Sequence, residues 1–200
     1  MLDAARRETR PWRAAGAIAM TEQLEVLRDV VSRLEQAGIP YMVSGSLAMN
    51  YYAQPRMTRD IDLVVELRRE SLARLGEVLG EDYYFSADAA AAALARRTMF
   101  NLIHQGYMIK IDCIVRKDTE YRKLEFARRR KIDVLGVQFY IVAPEDLVLS
   151  KLEWSRESRS EMQLSDIRNL LDSVSDLDRT YLSEWAKKLG LSSLLEEVTP

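Results

Sequence analysis

The stretch from Tyr41 to Glu66, YMVSGSLAMNYYAQPRMTRDIDLVVE, constrains the chain more than any other. A short apolar run, Tyr41 to Val43, leads into Gly45-Ser46. An amphipathic segment, Leu47 to Ala53, follows, and Asp60-Ile61-Asp62 then opens a second apolar run, Leu63 to Val65. This order predicts a strand, a tight glycine turn, a short helix, a loop and a strand carrying two acids. Side chains alternate across a strand, so Asp60 and Asp62 share a face. Two such carboxylates repel unless a cation lies between them, and a divalent ion with oxygen ligands answers that need. Gly45-Ser46 at a helix start offers backbone N–H groups and a hydroxyl, which suit a phosphate. Ser46 also reads as an ordinary helix N-cap, and both roles use the same groups.

Elsewhere the hydrophobic pattern alternates between helix and strand periods. Leu24, Leu27, Val30, Val31 and Leu34 recur at helical spacing, closed by Gly38 and Pro40. Helices are also expected over 70–79 and 119–130, while the alanine-rich stretch 87–97 is compatible with a helix but too bland to place. Met99 to His104 and Tyr107 to Val115 read as a hairpin turning at Gln105-Gly106, with Asp112 the acid of its second strand. A shorter hairpin is expected over 132–142, split by Gly136. From Pro144 the pattern is helical, with further helices near 163–171 and 179–189. The expected organisation is therefore a flexible extension over 1–19, a mixed α/β (α+β) core over 20–143 and a helical region over 144–200.

Composition removes several function classes. With 29 basic against 31 acidic residues, any nucleic-acid contact must come from a local patch. Arg128 to Lys131 is such a cluster, although a solvated helix end explains it better. A hydrophobic fraction of 48% supports a core, and no apolar run is long enough to span a membrane. The lone cysteine, Cys113, suits a reducing cytoplasm. One histidine, His104, makes a zinc centre or a Ser/His/Asp hydrolase implausible. Tyr51, Tyr52 and Trp154 are expected to pack in the core.

Gly45-Ser46, thirteen intervening residues and then Asp60-x-Asp62, followed by Asp112 on a later strand, resemble the DNA polymerase β-like nucleotidyltransferase superfamily. The resemblance implies a mixed sheet flanked by helices. It assigns catalysis and metal binding, with Mg²⁺, to Asp60, Asp62 and Asp112. Nucleotide binding falls to Gly45 and Ser46. A second stretch, from Pro144 through Lys151 to Asp166, looks like the C-terminal motif of the AbiEii-like group of toxin–antitoxin nucleotidyltransferases. That similarity adds Lys151 and Asp166 to the nucleotide site, with Arg59 and Lys110 fitting the same pattern. The implied activity is Mg²⁺-dependent transfer of a nucleoside monophosphate from an NTP to an acceptor hydroxyl, on a tRNA, a protein or a small molecule. An antitoxin partner would accompany a toxin role. The alternative is a catalytically inactive nucleotide-binding or protein-interaction module, which the intact Gly45, Ser46, Asp60, Asp62 and Asp112 argue against.

Overall fold

A computed structural model describes residues 17–199 apart from Arg159. Seven strands form one mixed sheet in the order β3-β4-β5-β2-β1-β7-β6. They are β1 Tyr41–Ser44, β2 Ile61–Val65, β3 Tyr83–Phe85, β4 Met99–His104, β5 Ile109–Val115, β6 Arg130–Val134 and β7 Val137–Ile141. β2 runs parallel to β5 and β1 parallel to β7; the other neighbouring pairs are antiparallel. Nine helices surround the sheet among the described residues: α1 Ala17–Gln36, α2 Gly45–Tyr52, α3 Ser71–Leu79, α4 Ala87–Arg96, α5 Glu120–Ala127, α6 Pro144–Ser158, α7 Glu161–Ser173, α8 Arg179–Leu189 and α9 Ser192–Val198.

The two faces of the sheet differ, and the sequence period says why. In β5 the residues Ile109, Ile111, Cys113 and Val115 point to one side, where they are buried with Ile61, Leu63, Phe100 and Leu102. The apolar stripe of α1, from Val26 to Leu34, belongs to the same core. Each such side chain removed from water contributes roughly 1.5–3 kcal/mol. The alternate residues Lys110, Asp112 and Ile114 face the other side with Asp62, Val64, Met99 and Asn101. That side is only partly covered.

α5 is anchored to α6 by ions rather than by apolar contact alone. Arg122 pairs with Glu125 and Glu153 and donates to Ser150 Oγ at 2.7 Å. Arg128 bonds both Glu145 and Asp146 at 2.9 Å. Asp146 is fully buried and also accepts from the Tyr181 hydroxyl at 2.6 Å. Arg128 is thus neither a solvated helix end nor free for RNA, and Glu145 and Asp146 do more than complement a helix dipole. Arg129 lies over the rings of Phe126 and Tyr140, and β6 takes up Arg130 and Lys131.

Several expectations are corrected. Of the extension expected over 1–19, residues 1–16 lie outside the described residues, while Ala17 already belongs to α1. β3 and α9 were not anticipated. Asp60 precedes β2 rather than lying within it. Trp154 is 58% exposed instead of packed in the core.

The turn between β1 and α2 passes hard against β2. Gly45 has φ +60°, and a Cβ there would lie 1.9 Å from Asp62 Oδ2. β1 and β2 are antiparallel with Ser44 opposite Asp62, so the turn must pass directly beside that carboxylate. Gly45→Ala is expected to cost at least about 2 kcal/mol, from left-handed backbone strain and displacement of Asp62. Denaturant titration should show the cost partly relieved when Asp62→Gly is added. Strict additivity in that double variant would place the strain elsewhere.

Candidate functional site

Strand register builds the centre of the site. Ser44, Asp62, Asp112 and Asn101 are successive partners across β1, β2, β5 and β4, forming one polar row on the partly covered face. Adjacent strands lie about 4.8 Å apart, so the two carboxylates stand side by side. Burial raises the Asp62 carboxyl above its ordinary value, and the charges of Asp112 and Asp60 push it the same way. The Ser46 backbone N–H donates to Asp62 and works against that rise. Asn101 Nδ2 donates to Asp112 Oδ1 at 2.8 Å. The Lys110 ammonium lies 2.9 Å from Asp112 Oδ2 and 3.8 Å from Asp60 Oδ2.

These carboxylates are hard oxygen donors, with no sulfur ligand directed at them, since Cys113 points into the core. That donor set suits a divalent ion of the Mg²⁺ type rather than zinc or copper. Among the described residues, no three acidic, histidine or cysteine side chains are already gathered as a bound metal would gather them. Lys110 instead lies between Asp60 and Asp112 as an internal counter-ion.

The second cluster meets the start of α2. Arg56 donates to Ser46 Oγ at 2.7 Å and to both oxygens of Asp166 at 3.0 Å. Lys151 Nζ donates to Asp166 Oδ2 at 2.8 Å and to Gln163 Oε1 at 3.2 Å. Burial would raise the Asp166 carboxyl, but the hydrogen bonds from Arg56 and Lys151 outweigh it and hold it below the ordinary range. Burial draws the Lys151 ammonium down, with the bond and charge of Asp166 opposing it. Lys151 is close enough to favour the charged form of Asp62. The cluster carries two cations and one carboxylate, a net charge of about +1 beside the glycine turn.

Two asparagines hold Arg56 there. Asn50 Oδ1 accepts the Arg56 backbone N–H at 2.9 Å, and its Nδ2 donates to the Arg56 carbonyl at 2.8 Å. Asn169 treats Gln54 in the same way, at 3.2 and 3.0 Å. Each side-chain amide substitutes for a strand partner, tying the loop after α2 to α2 and α7.

Of the residues expected from sequence, Gly45, Ser46, Asp60, Asp62, Lys110, Asp112, Lys151 and Asp166 meet in these two connected clusters. Ser46 is not the N-cap: Ser44 holds that position, and its side chain makes no capping bond. Arg59 is exposed, and no hydrogen bond or ion pair among the described residues ties it to the site. Sequence reasoning missed Arg56, Asn50, Asn101 and Asn169. Arg56 and Arg59 share one loop, and the clamp by Asn50 with the bonds to Ser46 and Asp166 distinguishes Arg56.

The folded chain resembles solved structures of nucleotidyltransferases. The solution structure of the antibiotic-resistance factor ANT(2″)-Ia is 17% identical at a TM-score of 0.55, covering 88% of this chain and 96% of that one. Its crystal structure with adenylyl-2″-tobramycin is 15% identical at 0.54, covering 84% and 98%. JHP933 from Helicobacter pylori is 16% identical at 0.50, covering 86% and 73%. These likenesses concern the fold. No curated protein sequence matches the chain significantly. The model of the family described as "Uncharacterised nucleotidyltransferase" matches residues 4–199, nearly the whole length, and the chain belongs to that family.

Proposed function

We propose that this chain transfers a nucleoside monophosphate from an NTP to an acceptor hydroxyl, with Asp60, Asp62 and Asp112 holding Mg²⁺. One observation carries the proposal: the in-register Asp62–Asp112 pair stands beside the Gly45 turn, within electrostatic reach of Lys151. When bound, the divalent ion supplies charge neutralisation at the triphosphate and acidifies the acceptor hydroxyl.

The residues of the chain then divide the work. Lys151 and Arg56 meet the β- and γ-phosphates, with Ser46 donating its hydroxyl once Arg56 turns toward the anion. Asp166 is the holder of these two cations rather than a ligand of the nucleotide. A carboxylate facing the triphosphate would repel it, whereas one bonded to both cations orients them. Asp112 is positioned by Asn101 and Lys110 and takes the proton of the acceptor hydroxyl. Lys110, now between Asp60 and Asp112, occupies the place that a divalent ion would take.

The similarity of the Lys151 to Asp166 segment to the AbiEii-like group supports a toxin role with an antitoxin partner. Expression of the chain should then arrest growth, and Asp62→Asn should abolish the arrest. Equal arrest by Asp62→Asn would separate toxicity from the transfer chemistry.

Asp62→Asn is expected to remove transfer of label from an α-labelled NTP and to raise the melting temperature of the metal-free chain. Two like charges at strand spacing cost stability until a cation arrives. Residual transfer near wild-type in this variant would remove Asp62 from the metal site.

NTP with Mg²⁺ is expected to raise the melting temperature, by about 2.7 kcal/mol of stability at a hundredfold excess over Kd, while NTP with a chelator does not. Arg56→Ala and Lys151→Ala should each weaken NTP binding roughly ten- to a hundredfold, with a smaller loss for a nucleoside monophosphate. Calorimetric titration reads both. An equal loss for NTP and monophosphate would show that these cations do not meet the β- and γ-phosphates.

A further inference from the structure

A cavity of about 280 Å³ opens on the sheet face that carries the carboxylates. Its floor is Val64, Ile114 and Met99, the next row after Asp62, Asp112 and Asn101 on the same three strands. Two residues along a strand is about 6.6 Å, so the cavity floor begins one row beyond the carboxylates, and Ser44, the strand partner of Asp62, also lines the cavity. One wall is a single face of α6, where Ser150 and Trp154 are one helical turn apart. Lys151, the next residue along, turns instead to Asp166 and the glycine turn. The carboxylates therefore separate the cationic cluster from this cavity. In-line displacement at phosphorus brings the acceptor in on the side opposite the departing pyrophosphate.

The chemistry of the lining selects a class of acceptor. The arginines of the cavity are already paired: Arg122 with Glu125 and Glu153, Arg97 with Asp118 at 2.8 Å, and Arg116 with Glu66 at 3.5 Å. The walls are consequently close to neutral, with no spare carboxylate to meet a polycation. The apolar floor and the exposed indole of Trp154 suit a flat, uncharged ring. At the rim, Lys117 has no ion pair among the described residues, so one cation is left for one anion beyond the ring.

We propose that this cavity is the acceptor subsite and that it takes a nucleoside monophosphate unit. The base stacks on Trp154, the ribose hydroxyls turn toward Asp112, and the phosphate meets Lys117. This rests on the transfer reading above. In the reaction, the ribose hydroxyl oxygen forms a bond to the α-phosphorus of the NTP. The bond from that phosphorus to the β-bridging oxygen breaks, pyrophosphate leaves with the electron pair, and the hydroxyl proton passes to Asp112. The unit is either a free nucleotide or the 3′-terminal residue of a nucleic acid, since both present the same base, ribose and phosphate.

The test loads the full-length chain with Mg²⁺ and a non-hydrolysable NTP, so that the nucleotide site is filled, and titrates AMP, CMP, GMP and UMP by calorimetry. At least one is expected to bind, and Trp154→Ala should weaken it about tenfold. Lys117→Glu should weaken the monophosphate while sparing the corresponding nucleoside. Both residues are exposed, so the variants should fold and should keep wild-type affinity for the NTP itself. Short single-stranded oligonucleotides ending in the preferred nucleotide distinguish the sources. Competition with the monophosphate assigns a chain end, and no competition assigns a free nucleotide. Failure of all four monophosphates to bind the loaded chain, binding indifferent to both substitutions, or saturable binding of tobramycin in their place would overturn the proposal. Failure of the chain to bind NTP with Mg²⁺ at all would instead remove the transfer reading beneath it.

Discussion

The site depends on one electrostatic conflict, the side-by-side placement of Asp62 and Asp112 by parallel strand register. Two carboxylates at strand spacing oppose each other by on the order of 3 kcal/mol in an intermediate dielectric. Nothing in the packing requires them, since the opposite face of the same strands is wholly apolar. The fold tolerates the conflict because donors surround it: the Ser46 N–H at Asp62, and Asn101 and Lys110 at Asp112. Gly45 belongs to the same solution, because only a residue without a Cβ lets the chain turn this close to Asp62.

A second conflict is resolved in the same way next to it. Lys151 is 5% exposed, and a buried ammonium without a partner would lose its proton or destabilise the chain. Asp166 supplies the partner and is shared with Arg56, so two cations are held against one carboxylate beside the glycine turn. On the transfer reading proposed above, a triphosphate would meet both cations while Asp166 keeps them oriented.

How far these features were legible in the sequence follows from their range. Asp62, Asp112 and the Gly45 turn were readable because strand period and turn chemistry are local. The β4–β5 hairpin and the helices beginning at Pro144 and Arg179 were readable for the same reason. β3 was missed because three residues, Tyr83 to Phe85, leave no period to detect, and its identity comes from pairing with β4. Arg56 was missed because its place depends on Asn50 and on Asp166, which lies 110 residues away. Trp154 was assigned to the core because it continues an apolar helical run. The long-range packing that leaves α6 facing a cavity there cannot be written in that run.

The charges of the site are ordered in space, whereas the chain as a whole is nearly balanced at −2. Cations gather at the glycine turn, carboxylates lie in the middle of the sheet, and in the cavity beyond them the arginines are already paired, leaving Lys117 at the rim. On the transfer reading proposed above, that order would set the direction of the reaction, with the triphosphate at the cationic end. A polycationic acceptor such as tobramycin would need free carboxylates in the cavity, and Glu125 and Glu153 are committed to Arg122. The likeness to ANT(2″)-Ia is one of fold, whereas the chemistry of this cavity wall is set by the ion pairs joining α5 to α6.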